Sequence, residues 1–286
     1  MFYFVDESGN WQEIEEETNK LVIAGLLCKN EKAFNELDED VKFFKIRNGF
    51  HGNFHAADIK DNLLLDEFYM IIEKYIKSDD FRVLAYVIDP KKFYSQTQKD
   101  SDELYLDTSA ELIKELSFGD ENIEIEYDMK FHYAYPQNVL ENLHIVNEWN
   151  SYSQMAKNFN LRYRAFEKNK ERIKTGILRN SHRIENYQTY IDRLDDINFV
   201  KDYLWVEFRL KMEKALIIRE RFKERINSLL QKEYADFGLN IDYRLDIKYN
   251  QKREQSVGVE VIDVINNLIW RDRKIDLLKY IEIKEL

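Results

Sequence analysis

The sequence predicts an α/β fold in which a mixed sheet is flanked by helices and interrupted by a large all-helical insertion. Short apolar segments rich in β-branched and aromatic residues, which are typical of buried strands, occur at 2–6, 21–28, 81–89, 123–131 and 241–249. Between about 136 and 235 charged helical patterns take their place. The chain of 286 residues has only two prolines and eight glycines, which favours long uninterrupted helices.

The spacing of apolar residues predicts helices between these strands. They are expected at 31–45, 63–77, 102–117 and 257–271, and the last is apolar on almost every side. Within the central block, 199–233 carries one long apolar stripe, which must be buried on the core, in a coiled coil or in a homodimer seam. We therefore predict a core formed by 1–135 and 236–286 and a helical insertion formed by 136–235.

Composition narrows the classes of function. The net charge of −11 argues against adhesion of the whole surface to nucleic acid, although it permits a local basic track. The single cysteine, Cys28, lies in an apolar run and is expected to be a packed core thiol. No apolar run approaches the ~20 residues that span a bilayer, and no leader pattern opens the chain, so we expect a cytoplasmic protein. Neither a P-loop nor a G-x-S-x-G elbow occurs.

Three aspartates stand in unusually apolar surroundings. Asp6 and Asp128 each end a strand-like segment, and Asp263 lies inside the apolar helix predicted near the carboxyl end. In open α/β sheets the strand ends form the usual ligand crevice, and an acid on a core helix is costly unless it is paired. Each also has a structural explanation. Asp6 could form a turn, Asp128 could pair with Lys130, and Asp263 could form a buried ion pair with a distant arginine.

Carboxylates from two strand ends and one helix would form a hard, oxygen-rich site of the kind that binds Mg²⁺ or Mn²⁺. Two such ions, ~3.5–4 Å apart, can activate a water molecule and stabilise the leaving oxygen during phosphodiester cleavage. That chemistry requires anionic oxygen ligands from several elements of the fold. The pattern of Asp6, Asp128 and Asp263 therefore indicates a metal-dependent phosphodiester hydrolase.

Three short motifs and one aspartate are relevant to the family of the chain. They are V-D-E-S-G at 5–9, H-A-A-D at 55–58, the strand-end Asp128 and V-E-V-I-D at 259–263. They resemble a bacterial and phage family, the domain of unknown function 3800 family. Its members begin with a strand ending in D-E-S-G, close with an L-Q-x-A-D helix and are regarded as ribonuclease H-like. The resemblance covers about 1–131 and 240–272 and implies a ribonuclease H-like sheet flanked by helices.

The resemblance also implies which residues form the site. Asp6, Asp128 and Asp263 match the acidic positions of the family, with Glu7 beside the first acid and His55 near the site. The sequence departs from the family at Glu260, where Gln is usual, so Glu260 is either an extra ligand or the mark of a different substrate. The expected catalytic group is Asp6, Glu7, Asp128, Asp263 and His55, and the expected metal ligands are Asp6, Asp128, Asp263 and Glu260.

Two further features bear on the substrate. His55 lies in a loop-like segment, where it could carry a proton or contact a phosphate, or simply be a hydrogen-bonded loop histidine. Residues 157–183 interleave cations with aromatic residues. Such a track could neutralise phosphates and stack on unpaired bases, or could be a solvated helix whose cations pair with acids. The predicted nucleic-acid contacts are Arg162, Tyr163, Arg164, Lys168, Lys170, Arg172 and Lys174.

These features support functions from different classes. The first is a metal-dependent nuclease that uses Mg²⁺ or Mn²⁺ to hydrolyse RNA or single-stranded nucleic acid, in a phage or defence setting that the resemblance implies. The second is a catalytically silent ribonuclease H-like module that binds a protein or nucleic acid through the helical insertion. A phosphodiesterase for small nucleotides is a third. Binding of Mn²⁺ separates the first hypothesis from the second.

Overall fold

The structure, a computed structural model, describes most of the chain. The described residues are 1–9, 11, 20–52, 55–56, 59, 61–97, 101–128, 153–183, 186–249, 256–271 and 276–286. Asp58 of the H-A-A-D motif lies outside the described residues, and so does Lys130, the predicted structural partner of Asp128.

A mixed six-stranded sheet organises the molecule. Its strands are β1 (Phe2–Ser8), β2 (Leu21–Cys28), β3 (Phe81–Ile88), β4 (Asn122–Tyr127), β5 (Arg244–Tyr249) and β6 (Ile281–Glu285). Their order across the sheet is β5-β4-β1-β2-β3-β6. Strand β2 pairs antiparallel with β1 and β3, and the remaining neighbours are parallel. All 8 residues of β2 are buried, as expected for a central strand that is covered on both faces.

Helices account for most of the remaining described residues. They are α1 (Glu31–Arg47), α2 (Asn62–Ile76), α3 (Pro90–Thr97), α4 (Ser101–Ser117), α5 (Ser153–Arg179), α6 (Tyr187–Arg193), α7 (Ile197–Asp236) and α8 (Val257–Trp270). Short 3-10 turns occur at Ser181–Arg183 and Asp276–Tyr280. None of these helices is long and apolar enough to cross a membrane.

Helices cover both faces of the sheet. Apolar side chains of α1, α2 and α8 form one buried cluster with those that β1, β2 and β3 direct to the same side. On the opposite face α4 approaches closely, because a Cβ at Gly25 of β2 would stand 2.4 Å from Leu116. Phe222 of α7 packs there too, with its ring 5.5 Å from that of Tyr127. The mixed sheet flanked by helices that the sequence predicts is therefore confirmed.

The chain divides into two compact units. Unit 1 consists of Met1–Ala134 and Arg219–Leu286, and unit 2 consists of Tyr135–Ile218. The carboxyl boundary of unit 2 differs from that of the insertion predicted at 136–235. The reason is that Phe222 and Ile226 of α7 are fully buried and Phe222 packs on β4 of the core. In unit 2, α5 packs on α6.

Most predicted elements are observed within a few residues of their expected ends. Strand β1 continues two residues beyond Asp6, to Ser8, so Asp6 lies inside the strand rather than at its end. Strand β6 and helix α3 were not predicted. Strand β6 is a weak signal in the sequence because it alternates only Ile281 and Ile283 with charged residues at an edge of the sheet. Cys28 is buried, as predicted, and burial raises the pKa of its thiol.

Candidate active site

Asp6 lies in the middle of the sheet and is almost completely buried, with 4% of its surface exposed. It is paired with Ala24 of β2 on one side, and on the other side β1 runs parallel to β4. Its carboxylate accepts a long hydrogen bond of 3.4 Å from the side-chain amide of Asn266 on α8. The side chain of Asp6 is therefore on the sheet face that α8 covers.

Asp128 directly follows β4 and comes beside Asp6. The last residue pair of the β1–β4 ladder is Val5 with Tyr127, and the next backbone N–H, that of Asp128, donates to the Val5 carbonyl at 3.1 Å. Asp6 and Asp128 are thus opposite each other, at the next position of the parallel β1–β4 register. Side chains alternate along a strand, and the ring of Tyr127 lies on the opposite face. This alternation assigns Asp128 to the face of Asp6.

Helix α8 crosses this face at very close range. The backbone N–H of Ser256, at its amino end, donates to the Glu126 carboxylate at 3.0 Å. A Cβ at Gly258 would stand 2.3 Å from the ring of Phe4, so only glycine permits the approach of this helix to β1. The contact fixes the helix over the strand that carries Asp6, and directs Asp263 and Asn266, three residues apart, toward one side.

Asp263 lies at the rim of the site. Its carboxylate accepts a hydrogen bond of 2.6 Å from the backbone N–H of Ala56. The Nδ1 atom of His55 lies 3.7 Å from the same carboxylate oxygen, and about a third of the His55 side chain (35%) is exposed. The histidine that the sequence singled out is therefore in contact with one of the predicted acids. A group in this position can exchange protons with solvent.

Glu260, predicted as an additional metal ligand, is held by a lysine. Both of its carboxylate oxygens accept hydrogen bonds from the ammonium group of Lys45 on α1, at 2.8 and 3.0 Å. The glutamate is 1% exposed and the lysine side chain 13% exposed, so this is a buried ion pair. The lysine sits where a cation would otherwise neutralise Glu260. This arrangement favours a structural role for the glutamate.

Glu7 lies on the opposite face from Asp6, because β1 remains extended through Ser8 and its side chains alternate. It is 1% exposed, and the hydroxyl of Tyr105 on α4 donates to it at 3.0 Å. Burial, followed by the charge of Glu7, raises the pKa of Tyr105 well above its ordinary value. Adjacent positions in sequence are thus separated by the thickness of the sheet, and the placement of Glu7 does not favour the predicted catalytic role.

The acids at the α8 face do not by themselves complete a metal site. Among the residues that the structure describes, no three histidine, cysteine, aspartate or glutamate side chains form a group that could hold a metal ion. Asp6 and Asp128 are neighbours in register, and Asp263 is on the helix above them. A cation at this position would draw on further oxygen atoms, and the fully buried amide of Asn266 is adjacent to Asp6.

The predicted nucleic-acid contacts lie on α5 in unit 2. The first set has contacts with other side chains of the same unit, and the second set is exposed. Lys170 and Lys174 form ion pairs with Asp195 at 2.8 and 2.9 Å, which raises the pKa of Lys170. Tyr163 is partly buried, and the Lys201 ammonium lies 5.3 Å from its ring centre. The second set is exposed, and in the described part of unit 2 no ion pair neutralises it. Its members are Arg164, Lys168 and Arg172. The side chain of Arg162 lies outside the described residues.

Two residues of this region were not predicted as part of the site. Lys45 has no local signal, because its partner Glu260 is 215 positions away in the chain. Asn266 had a signal that could have been used, since it is a polar residue in the apolar helix that carries Asp263. A polar residue inside such a helix is costly unless its amide finds partners.

Comparison with known proteins gives a distant structural match and no family. No model of a known protein family matches the sequence, and no curated protein does, so membership of the domain of unknown function 3800 family stays a prediction. One solved structure is similar, a chain in the complex of PCNA with RNase HII from Archaeoglobus fulgidus. The identity is 19%, the TM-score is 0.30, and the match covers 51% of this chain and 57% of that chain.

Proposed function

We propose that the protein is a metal-dependent nuclease, which hydrolyses phosphodiester bonds of RNA or single-stranded nucleic acid with Mg²⁺ or Mn²⁺ held by Asp6, Asp128 and Asp263. The observation that carries the proposal is the 3.1 Å hydrogen bond from the Asp128 N–H to the Val5 carbonyl. It continues the β1–β4 ladder by one residue, so that Asp128 is opposite Asp6 in the parallel register. Both lie below the helix that carries Asp263.

The donor atoms available at this face fit a hard divalent cation. They are carboxylate oxygens, together with the buried carbonyl oxygen of Asn266, which has no hydrogen-bond partner among the described residues. Oxygen donors of this kind are those that Mg²⁺ and Mn²⁺ prefer. When bound, such an ion would stabilise the negative charge that develops on phosphoryl oxygens and lower the pKa of a bound water.

The residues of the chain would divide the remaining work. Asp6 and Asp128, side by side on the sheet, hold the cation and keep the site anionic. Asp263 is oriented by the Ala56 N–H, and His55 beside it exchanges a proton at the exposed rim of the site. The neighbouring carboxylates of Asp6 and Asp128 are unfavourable without a cation, since like charges repel at short range.

The exposed cations of α5 support nucleic acid as the substrate class. Arg164, Lys168 and Arg172 follow one another at four-residue spacing, so they form a single row along the helix. Such a row can contact successive phosphates and release counterions. These cations account for the substrate class in spite of the chain's overall net charge of −11.

The experiment compares Asp128→Asn with Glu7→Gln in cleavage of labelled RNA and single-stranded DNA with Mg²⁺ or Mn²⁺. The Asp128→Asn variant should keep its circular dichroism spectrum and lose cleavage by about a thousandfold, because the metal contributes several kcal/mol at the transition state. The control, Glu7→Gln, removes the charge of a more deeply buried acid from the opposite face and should leave cleavage unchanged. Normal turnover by folded Asp128→Asn would refute the proposal.

A second candidate function is a ribonuclease H-like module that binds nucleic acid or protein without turnover. It is favoured by the finding that the described acids and histidines do not assemble a group that could hold a metal. Calorimetry with millimolar Mn²⁺ separates the two functions. Absence of a binding signal, together with salt-dependent RNA binding that the Arg164→Ala, Lys168→Ala, Arg172→Ala triple variant loses, would favour the binding module.

A further inference from the structure

Asn266 is a fully buried polar residue of α8, and the acids alone do not explain its burial. It is 0% exposed, and its Nδ2 atom donates a long hydrogen bond of 3.4 Å to the Asp6 carboxylate. Its Oδ1 atom has no hydrogen-bond partner among the residues that the structure describes. An unsatisfied buried acceptor is unfavourable because it has lost its hydrogen bonds to water, whereas an apolar side chain of similar shape would avoid that cost.

The position of this amide links it to the predicted site. Its carbon carries both the nitrogen that contacts Asp6 and the oxygen that lacks a partner, so the oxygen lies within the same buried space. Asp263 is three residues earlier on the same helix and shares its face. Since the described acids do not form a sufficient group, a cation beside Asp6 would need a further oxygen ligand, and this atom is suitably hard and uncharged.

We propose that Asn266 is an oxygen ligand of the divalent cation that Asp6 holds, an inference that rests on the proposed function in requiring a cation at this face. Without the cation, Nδ2 faces Asp6 and offsets part of its charge. When the cation binds, the amide rotates by half a turn about its last bond, so that Oδ1 takes the place of Nδ2. The two orientations have nearly the same shape, so the rotation needs no repacking of the core.

The rotation accounts for both features of the side chain. The hydrogen bond to Asp6 is long, and it is therefore easily given up. The carbonyl oxygen gains the partner that it lacks, and it adds a ligand without adding to the repulsion among the carboxylates. The amide acts as a neutral partner of Asp6 in both states.

The experiment uses the full-length protein and measures the shift of its thermal unfolding by Mn²⁺ over a concentration series, with no substrate present. Asn266→Leu keeps the branched outline of the side chain, with a larger volume, and removes both polar atoms. We expect it to fold and to bind Mn²⁺ about 10- to 100-fold more weakly than the wild type. Asn266→Asp adds a further carboxylate close to Asp6, besides that of Asp128. Without Mn²⁺ it should unfold at a lower temperature than the wild type, and Mn²⁺ should raise that temperature more than in the wild type.

Asn267→Leu is the matched control, because the amide oxygen of Asn267 is likewise buried without a partner among the described residues, while the amide that contacts Asp6 is that of Asn266. It should leave Mn²⁺ affinity unchanged. Asp6→Asn tests the site itself and should abolish the Mn²⁺ shift. If Asp6→Asn abolishes the shift but both Asn266 variants bind like the wild type, the inference is overturned and the proposed function stands. If the wild type shows no shift, both fail. Should Asn266→Asp not fold in either condition, the Mn²⁺ affinity of Asn266→Leu decides.

Discussion

Asp6 and Glu7 are adjacent in β1, equally buried, and opposite in what surrounds them. Glu7 points to the α4 face, where the hydroxyl of Tyr105 donates to its carboxylate and a hydrogen bond of 2.8 Å joins Ser109 and Tyr127 beside it. Asp6 points to the α8 face, where its neighbour is an amide whose oxygen has no partner among the described residues. The carboxylate of Glu7 has a hydroxyl donor, whereas the amide beside Asp6 retains an acceptor without a partner among the described residues.

The difference teaches that a buried acid is not in itself a sign of function. Glu260 is as deeply buried as Glu7, and Lys45 neutralises it with two hydrogen bonds. A stable core tolerates such acids when the chain supplies their partners. The more informative feature is a polar atom that has no partner among the described residues, and beside Asp6 that atom is Oδ1 of Asn266.

The largest expected effect on stability concerns the buried ion pair between Lys45 and Glu260. Lys45→Met leaves the Glu260 carboxylate buried without its ammonium partner, and the free energy of unfolding should fall by about 3–5 kcal/mol. Urea denaturation followed by circular dichroism measures this change. If Glu260 instead binds the catalytic cation, Mg²⁺ or Mn²⁺ should restore the stability of the variant.

The control for this prediction is Lys42→Met on the same helix. Lys42 pairs with Asp38 four residues earlier, and its side chain is 63% exposed. Such surface pairs contribute at most about 1 kcal/mol, so the control should be nearly as stable as the wild type. Equal losses in the two variants would mean that the Lys45–Glu260 pair is worth no more than a surface contact.

A smaller effect is expected on the α4 face. Tyr105→Phe removes the hydroxyl that donates to Glu7 and should lower the free energy of unfolding by about 1–3 kcal/mol, since a buried acceptor loses a partner. Cleavage and Mn²⁺ affinity should remain unchanged, because this face takes no part in the proposed site. The measurements are denaturation, cleavage and the Mn²⁺ shift on one preparation. A selective loss of cleavage in a stable variant would place Glu7 in the catalytic group after all.

The sequence predicts the parts of this picture that depend on local pattern. A continuous apolar run locates β1 and alternating apolar residues locate β4, and the positions of Asp6 and Asp128 follow from those segments. Two features escaped because they depend on distant contacts. The extension of β1 to Ser8 comes from its pairing with β2, and it is this extension that turns Glu7 away from Asp6. The partner of Glu260 lies on another helix, and no spacing within α8 points to Lys45.

The smallest predicted effect sharpens the comparison through pH. Burial is the main cause that raises the pKa of Tyr105 and of Tyr127 well above the ordinary value, and the charge of Glu7 adds to it. Because the folded state holds these protons more tightly than the unfolded state, the stabilisation is complete below about pH 10, where unfolded tyrosine titrates, and is lost as the pH rises further. At about pH 10.5 the free energy of unfolding should be lower than at neutral pH by about 1 kcal/mol for each of the two tyrosines. Urea denaturation at a series of alkaline pH values measures how steeply the free energy of unfolding falls with pH. Tyr105→Phe should reduce this slope by the contribution of one titrating proton. An unchanged slope in that variant would show that the hydroxyl of Tyr105 is not held in its neutral form by the α4 face.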